Sequence, residues 1–159
     1  MFYWIQCWLF KRKHFKHLKY LALAKVQADN LSKRSNTKVG AIILDTDRVI
    51  LSSGYNGAPR GCTADIDNRY YLLSKNVLSC HAEANAISHA AKNGVKINNS
   101  IIVVTHYPCV DCAKLIIQAG IIGVITNSPT GTYVSKWGES ISESRQLFKE
   151  CKIPVVVIS

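Results

Sequence analysis

The sequence predicts an α/β protein, a three-layer α/β/α sandwich built on a five-stranded mixed sheet. Three observations predict it. Two apolar, β-branched runs, VGAIIL and RVILSSGY, stand side by side with only Asp45-Thr46-Asp47 between them, the pattern of a hairpin. From Ser79 onward helical and strand-like segments alternate, and strand–helix–strand crossovers bring strands together in parallel. The chain of 159 residues is 48% apolar and 19% charged. That is a globular composition, long enough for one buried core, and it excludes a disordered chain.

The elements follow in order. Phe10–Leu31 carries helix formers, with Leu18, Leu21, Val26 and Leu31 among lysines, and reads as an amphipathic helix. The hairpin comes next, and then GYNGAPRG, whose Gly and Pro demand a turn or loop. HAEANAISHAAKNG is an Ala-rich helix stopped by Gly94. SIIVVT is a buried strand, CAKLIIQAG a short helix ending at Gly120, and GVIT a further strand. The segment 127–137, NSPTGTYVSKW, reads as a long loop beside the mouth of the site. Glu139–Cys151 reads as a helix with Ile141, Leu147 and Phe148 toward the core, and PVVVI closes as a strand.

The net charge of +10 is unevenly placed. Residues 1–38 hold nine Lys/Arg against Asp29 alone, whereas 39–159 hold eleven against nine acids. A basic segment on a nearly neutral body suits an anionic ligand, or is a solvated, lysine-rich helix face. The opening MFYWIQCWLF has its positive charges after the apolar run and no small-residue cleavage site, so it does not read as a secretory signal. It is also shorter than the roughly 20 residues of a membrane span. The expectation is a cytoplasmic protein with reduced thiols, in which close cysteines serve metal or catalysis. The aromatic start remains open between a packed extension, an oligomer contact and a shallow membrane anchor, with packing preferred.

Two stretches carry chemistry: His81-Ala82-Glu83, and Pro108-Cys109-Val110-Asp111-Cys112 after a buried strand. Each lies where the chain enters a helix, so several side chains can converge on one pocket. Cys109 and Cys112 share one face of a first helical turn. Helix N-terminal amides favour thiolates there, and Pro108 suits the entry. One imidazole and two thiolates leave the fourth tetrahedral position of a zinc ion to water, the layout of a catalytic site. Zinc lowers the pKa of that water from about 15.7 to about 7. Glu83, on the same turn as His81, is placed to shuttle protons without coordinating the metal. Alone, a C-x-x-C is more often a redox pair or half a structural zinc site, and an H-x-E means little. The combination is specific.

H-x-E followed by P-C-x-x-C is the signature of the zinc nucleobase deaminases. Together with KVGAII (38–43), GYNGAPRG (54–61), HAEANAI (81–87) and PCVDCAKLIIQAGI (108–121), it makes the chain resemble the cytidine/deoxycytidylate deaminase superfamily, most closely its deoxycytidylate branch. The resemblance implies a cytidine deaminase-like fold over residues 19–159, with 1–18 an aromatic and basic extension. It implies one catalytic Zn2+ per chain on His81, Cys109 and Cys112, with Glu83 as the catalytic proton shuttle. It places the Ala82 amide on the ring carbonyl and Asn56 on the nucleotide. The substrate phosphate needs cationic donors, for which Lys38 and Arg34 are the candidates.

The implied reaction is hydrolysis of dCMP to dUMP and ammonia, with dCTP and dTTP as effectors and a homo-oligomer, such as a hexamer, as the assembly. The alternative is another cytosine nucleotide or nucleoside, such as dCTP or cytidine, or a base in nucleic acid, which is the less expected partner. A nucleotide sensor without turnover is disfavoured by an intact Glu83. Cys62 and Cys80 have no His between them, so no second metal is expected, and Cys80 reads as a buried neighbour of the site. His106 reads as structural or pocket-lining, His89 as a helix packing residue, and Tyr133 or Trp137 as covers for the base or as loop packing.

Overall fold

The computed structural model describes residues 2–33, 37–62 and 78–158. Among them five strands form one mixed sheet. Strands β1 (Gly40–Leu44) and β2 (Ile50–Tyr55) pair antiparallel, and β3 (Ile101–Val104) lies antiparallel on the other side of β1. Strands β4 (Gly123–Asn127) and β5 (Val155–Ile158) continue the sheet in parallel with β3, giving the order β2-β1-β3-β4-β5. The expected five-stranded mixed sheet is present. Strands β1 and β3 are buried along their whole length, as their apolar runs require of strands covered on both faces.

The hairpin connection is longer than the sequence suggested. The Asp45 carboxylate accepts the N–H groups of Asp47 and Val49, at 2.9 and 2.8 Å, and Arg48 takes a left-handed φ of 75°. The five residues 45–49 therefore form the turn, and β2 begins at Ile50.

Alternation along the strands divides the core. Ala41, Ile43, Ile102, Val104 and Val124 face helices α3 (Ala82–Lys92), α4 (Val110–Gln118) and α5 (Gly131–Glu150). Ile42, Leu44, Ile101, Val103 and Ile125 face the first part of the chain. That part is not the single helix expected over Phe10–Leu31. It is α1 (Phe2–Lys13), a 3-10 turn (Phe15–Lys19) and α2 (Tyr20–Leu31). The break falls where His14 and His17 both turn inward, His17 bonding the Asp45 carbonyl at 3.2 Å.

The packing face of α2 also differs from the leucine and valine pattern. Leu18 and Leu21 do pack on the core, but Val26 and Leu31 are exposed, and the buried positions are Ala24 and Ala28. The helix runs so close to β1 that a Cβ at Gly40 would collide with the Ala24 carbonyl. Only small side chains fit between them.

The segment 127–137 is not a long loop. Only 128–130 connect β4 to α5, which begins at Gly131 behind an extended Thr130 and runs for 20 residues. Thr130, Gly131 and Thr132, which read as loop, are the cap and first turn of a helix. Ile141 and Phe148 are buried and Leu147 packs beside them, as expected.

Candidate active site

The site is assembled where two helices begin. His81 has extended backbone and caps α3, whose first bond runs from the Asn85 N–H to the His81 carbonyl at 2.9 Å. The Asn85 amide donates to the Tyr55 carbonyl at 2.8 Å, tying that turn to β2. Cys109 caps α4 in the same extended conformation. The Val110 N–H, one of the first-turn donors without an intrahelical acceptor, reaches Ser140 Oγ on α5 at 3.0 Å.

These two entries bring His81, Cys109 and Cys112 together, with their ligating atoms all within 4.8 Å of one another. His81 Nδ1 is 3.4 Å from each sulfur. Tetrahedral zinc with ordinary Zn–N and Zn–S bonds sets its ligands about 3.6 Å apart. The residues therefore fit a zinc ion by separation, and two thiols with one imidazole fit it by donor chemistry. Three ligands leave one position for a reactant.

Electrostatics bind the ligands to one another. The hydrogen bond with Cys112 pulls Cys109 down to about 4 against its burial, with help from His81. Cys112 is pushed up by the same bond with Cys109 and by burial. His81 is raised, first by its hydrogen bond with Cys109. Glu83, 4% exposed on the first turn of α3, is raised to about 7 by burial, with its backbone hydrogen bond and the His81 charge opposing.

A recess opens beside this cluster, lined by His81, Ala82 and Glu83 and by Asn56 from the turn after β2. Asn56 Oδ1 accepts from Ser32 Oγ at 2.8 Å and from the Val39 N–H at 2.9 Å, while Nδ2 donates to the Thr37 carbonyl at 2.8 Å. The side chain holds the segment 37–39 as one wall of the recess, a second task that GYNG did not reveal. The opposite wall is the start of α5. Tyr133, Lys136 and Trp137 line it, and the Trp137 ring meets the His81 ring edge-on at 5.7 Å. Thr37, Val39 and Ser79 are further lining residues. The i, i+3, i+4 spacing of Tyr133, Lys136 and Trp137 would have found the α5 wall, had the segment been read as helical.

The remaining candidates fall elsewhere. Lys38 lines an adjoining recess with Lys25, His106 and Ser128, on the far side of the shared Tyr133. Its Nζ donates to the Asp29 carbonyl at 2.7 Å. Arg34 lies outside the described residues. His106 packs against the Tyr133 ring at 4.9 Å, and burial and then Lys25 lower its pKa. Cys80 is half-buried and pairs through its backbone with Gly57. His89 bonds the Ser53 carbonyl at 2.8 Å and Arg60 at 3.2 Å, a packing role.

Residues 15–128 match the family model of the cytidine and deoxycytidylate deaminase zinc-binding region. An uncharacterized deaminase of the luxG 3′ region of Aliivibrio fischeri is 39% identical over 126 residues, 78% of this chain and 81% of that protein. Human deoxycytidylate deaminase is 41% identical over 113 residues, 67% of this chain and 61% of its own length. The match thus spans about three-fifths of the human enzyme. The structure of dCMP deaminase from cyanophage S-TIM5, in complex with dCMP and dUMP, superposes with a TM-score of 0.68 at 31% identity. It covers 88% of this chain and 94% of the phage protein.

Proposed function

The chain belongs to the cytidine and deoxycytidylate deaminase family, and on that basis we propose that it hydrolyses dCMP to dUMP and ammonia. The observation that carries the reading is a buried Glu83 carboxyl on the same helical turn as His81, one member of the three-residue cluster, with both lining one recess. His81, Cys109 and Cys112 would hold the zinc. When bound there, zinc supplies a water activated near neutral pH as the nucleophile for C4 of cytosine.

The chain's own groups do the rest. Glu83 takes a proton from the attacking water and gives it to N3, then takes the proton of the new C4 hydroxyl and passes it to the amino group, which leaves as ammonia. C4 gains an oxygen and loses nitrogen, so the balance is dCMP plus water to dUMP plus ammonia. The Ala82 amide belongs to the first turn of α3, where N–H groups have no intrahelical acceptor. It donates to the ring carbonyl at C2. Asn56 Nδ2 has a second hydrogen to offer the nucleotide. Trp137 and Tyr133 wall the base.

The phosphate end lies toward the recess of Lys38, where Lys25 adds a second cation; Arg34 is the other proposed phosphate contact. Residues 19–159 form the deaminase domain and 1–18 an extension to it. The oligomeric assembly, the response to dCTP and dTTP and the cytoplasmic location belong to the same proposal. The deciding experiment measures ammonia release from dCMP, CMP, dCTP and deoxycytidine, with and without added dCTP or dTTP where these are not the substrate. Turnover greatest on dCMP upholds the reading; a clear preference for another member overturns the substrate assignment and leaves the reaction class standing. Nucleotide binding without turnover of any of the four overturns both.

A further inference from the structure

Helix α1 is apolar on both sides, and the body of the protein uses only one. Tyr3 and Gln6 donate to the Ile153 and Lys152 carbonyls, at 3.0 and 2.7 Å, and the Phe10 ring lies against Gly123, where a Cβ would strike it. On the opposite side Trp4, Ile5, Trp8 and Leu9 recur at i and i+4 and are 80%, 50%, 55% and 53% exposed. Single exposed apolar residues are ordinary, but a contiguous row with two indoles marks a contact surface.

The surroundings of the row indicate what covers it. Lys11, Arg12, Lys13, Lys16 and Lys19 follow it, all exposed, and no acidic residue occurs before Asp29. Arg12 lies over the Trp8 ring, 4.9 Å from its centroid, so cation and indole form one surface. Pairing two copies through this face would draw two cationic clusters together with no acid in the segment to offset them. An anionic bilayer offers what the face lacks: acyl chains for the row and negative headgroups for the cations. Tryptophan settles at the boundary between the two. At 12 residues α1 is shorter than the roughly 20 of a span. No helix among the described residues is long and apolar enough to cross a membrane. The fitting geometry is therefore a helix lying in the surface plane.

We propose that α1 and the 3-10 turn after it form an interfacial anchor that seats Trp4, Ile5, Trp8 and Leu9 in an anionic lipid surface. The basic residues that follow engage the headgroups. None of the α1 residues lines the recess beside Glu83, so the anchored protein keeps its site open to solution.

The test is flotation of the full chain with vesicles of phosphatidylcholine alone and of phosphatidylcholine with about one-third phosphatidylserine. Binding is expected to the anionic vesicles, to weaken in about 0.5 M salt, and to be slight on neutral ones. The double variant Trp4→Glu/Trp8→Glu and the triple variant Lys11→Glu/Arg12→Glu/Lys13→Glu should each bind at least about tenfold more weakly. Circular dichroism and deaminase activity in solution should be unchanged, so failure of the anchor is separable from failure of the proposed function. Absence of flotation, or equal flotation with neutral vesicles, overturns the proposal. So does a wild-type protein that ignores vesicles but changes from dimer to monomer on Trp4→Glu/Trp8→Glu, which would make the row a contact between copies.

Discussion

Gly54 and Ala82 touch across the β2–α3 interface so closely that a methyl group on Gly54 would collide with the Ala82 carbonyl and the Ala86 amide. Gly54 does not have a left-handed φ, so the glycine is needed for space and not for torsion. The contact fixes the height of α3 above the sheet, and with it His81, Ala82 and Glu83 on its first turn. Gly54→Ala should therefore push that turn away from Cys109 and Cys112. Overpacking of this kind costs about 1–3 kcal/mol. The expected outcome is a lower melting temperature together with less than one zinc per chain; full zinc occupancy with unaltered activity would refute this role.

Glu83 and the ligands should separate cleanly under substitution. Glu83→Gln keeps the shape of the side chain and removes its proton chemistry. It should retain zinc by elemental analysis and lose turnover by about 10²–10⁴-fold, the range of general acid–base catalysis. Cys109→Ala leaves two ligands and should lose the metal itself. Chelation of the wild-type protein should abolish activity, and added zinc should restore it. Substantial turnover by Glu83→Gln would remove the proton shuttle from the mechanism.

Trp137 stands edge-on to His81 and lines the recess with Tyr133. Base–aromatic stacking is worth about 1–3 kcal/mol, so Trp137→Ala should raise KM for the nucleotide by about 5- to 100-fold. Trp137→Phe should recover most of that loss. If the alanine variant instead loses zinc with KM unchanged, the ring serves to position His81 and not to hold the base.

The difference between what could and could not be read from the sequence has a physical pattern. The clustering of His81, Cys109 and Cys112, with Glu83 buried beside them, was legible because the geometry is local: His81 and Glu83 adjoin on one turn, as do Cys109 and Cys112. The place of Asn56 on the recess was legible in GYNG, but not its grip on Val39 and Thr37, 17 and 19 residues away. The break at His14 was hidden for the same reason, since the inward turn of His17 is met by the Asp45 carbonyl, 28 residues away. The buried face of α2 belongs to Ala24 and Ala28 because Gly40 admits the helix, a long-range packing fact. The start of α5 was hidden by chemistry that caps and loops share, since Ser, Thr, Pro and Gly punctuate both.

Lys38 faces the recess beyond Tyr133, with Nζ on the Asp29 carbonyl. If it meets the substrate phosphate, the loss should depend on that phosphate. A hydrogen bond to a charged group is worth about 1.5–3 kcal/mol. Lys38→Ala should raise KM for dCMP by about 10- to 100-fold and leave any turnover of deoxycytidine untouched. An equal loss on both substrates would mean that Lys38 acts through the fold, by holding the end of α2.

His14 predicts how stability responds to acid. It is 3% exposed, its Nδ1 has no hydrogen-bond partner, and the rings of Phe10 and His17 lie 4.5 and 4.8 Å away. Burial first, then His17 and Lys13, lower its pKa to about 4. In the unfolded chain it titrates near the ordinary value of about 6.5. Between those two values the unfolded chain binds a proton that the folded chain does not, so falling pH favours unfolding. The contribution is fully present above about pH 6.5, is lost progressively toward pH 4, and changes no further below it. The loss amounts to at most about 3 kcal/mol. His14→Phe replaces the imidazole with a ring of similar shape that cannot be protonated. Melting temperatures of the two proteins, compared from pH 7 to pH 4, should diverge as the pH falls, with the phenylalanine variant the less sensitive. Parallel curves would show that His14 is protonated in the folded protein as readily as in the unfolded one, and that the acid response comes from the other ionisable groups.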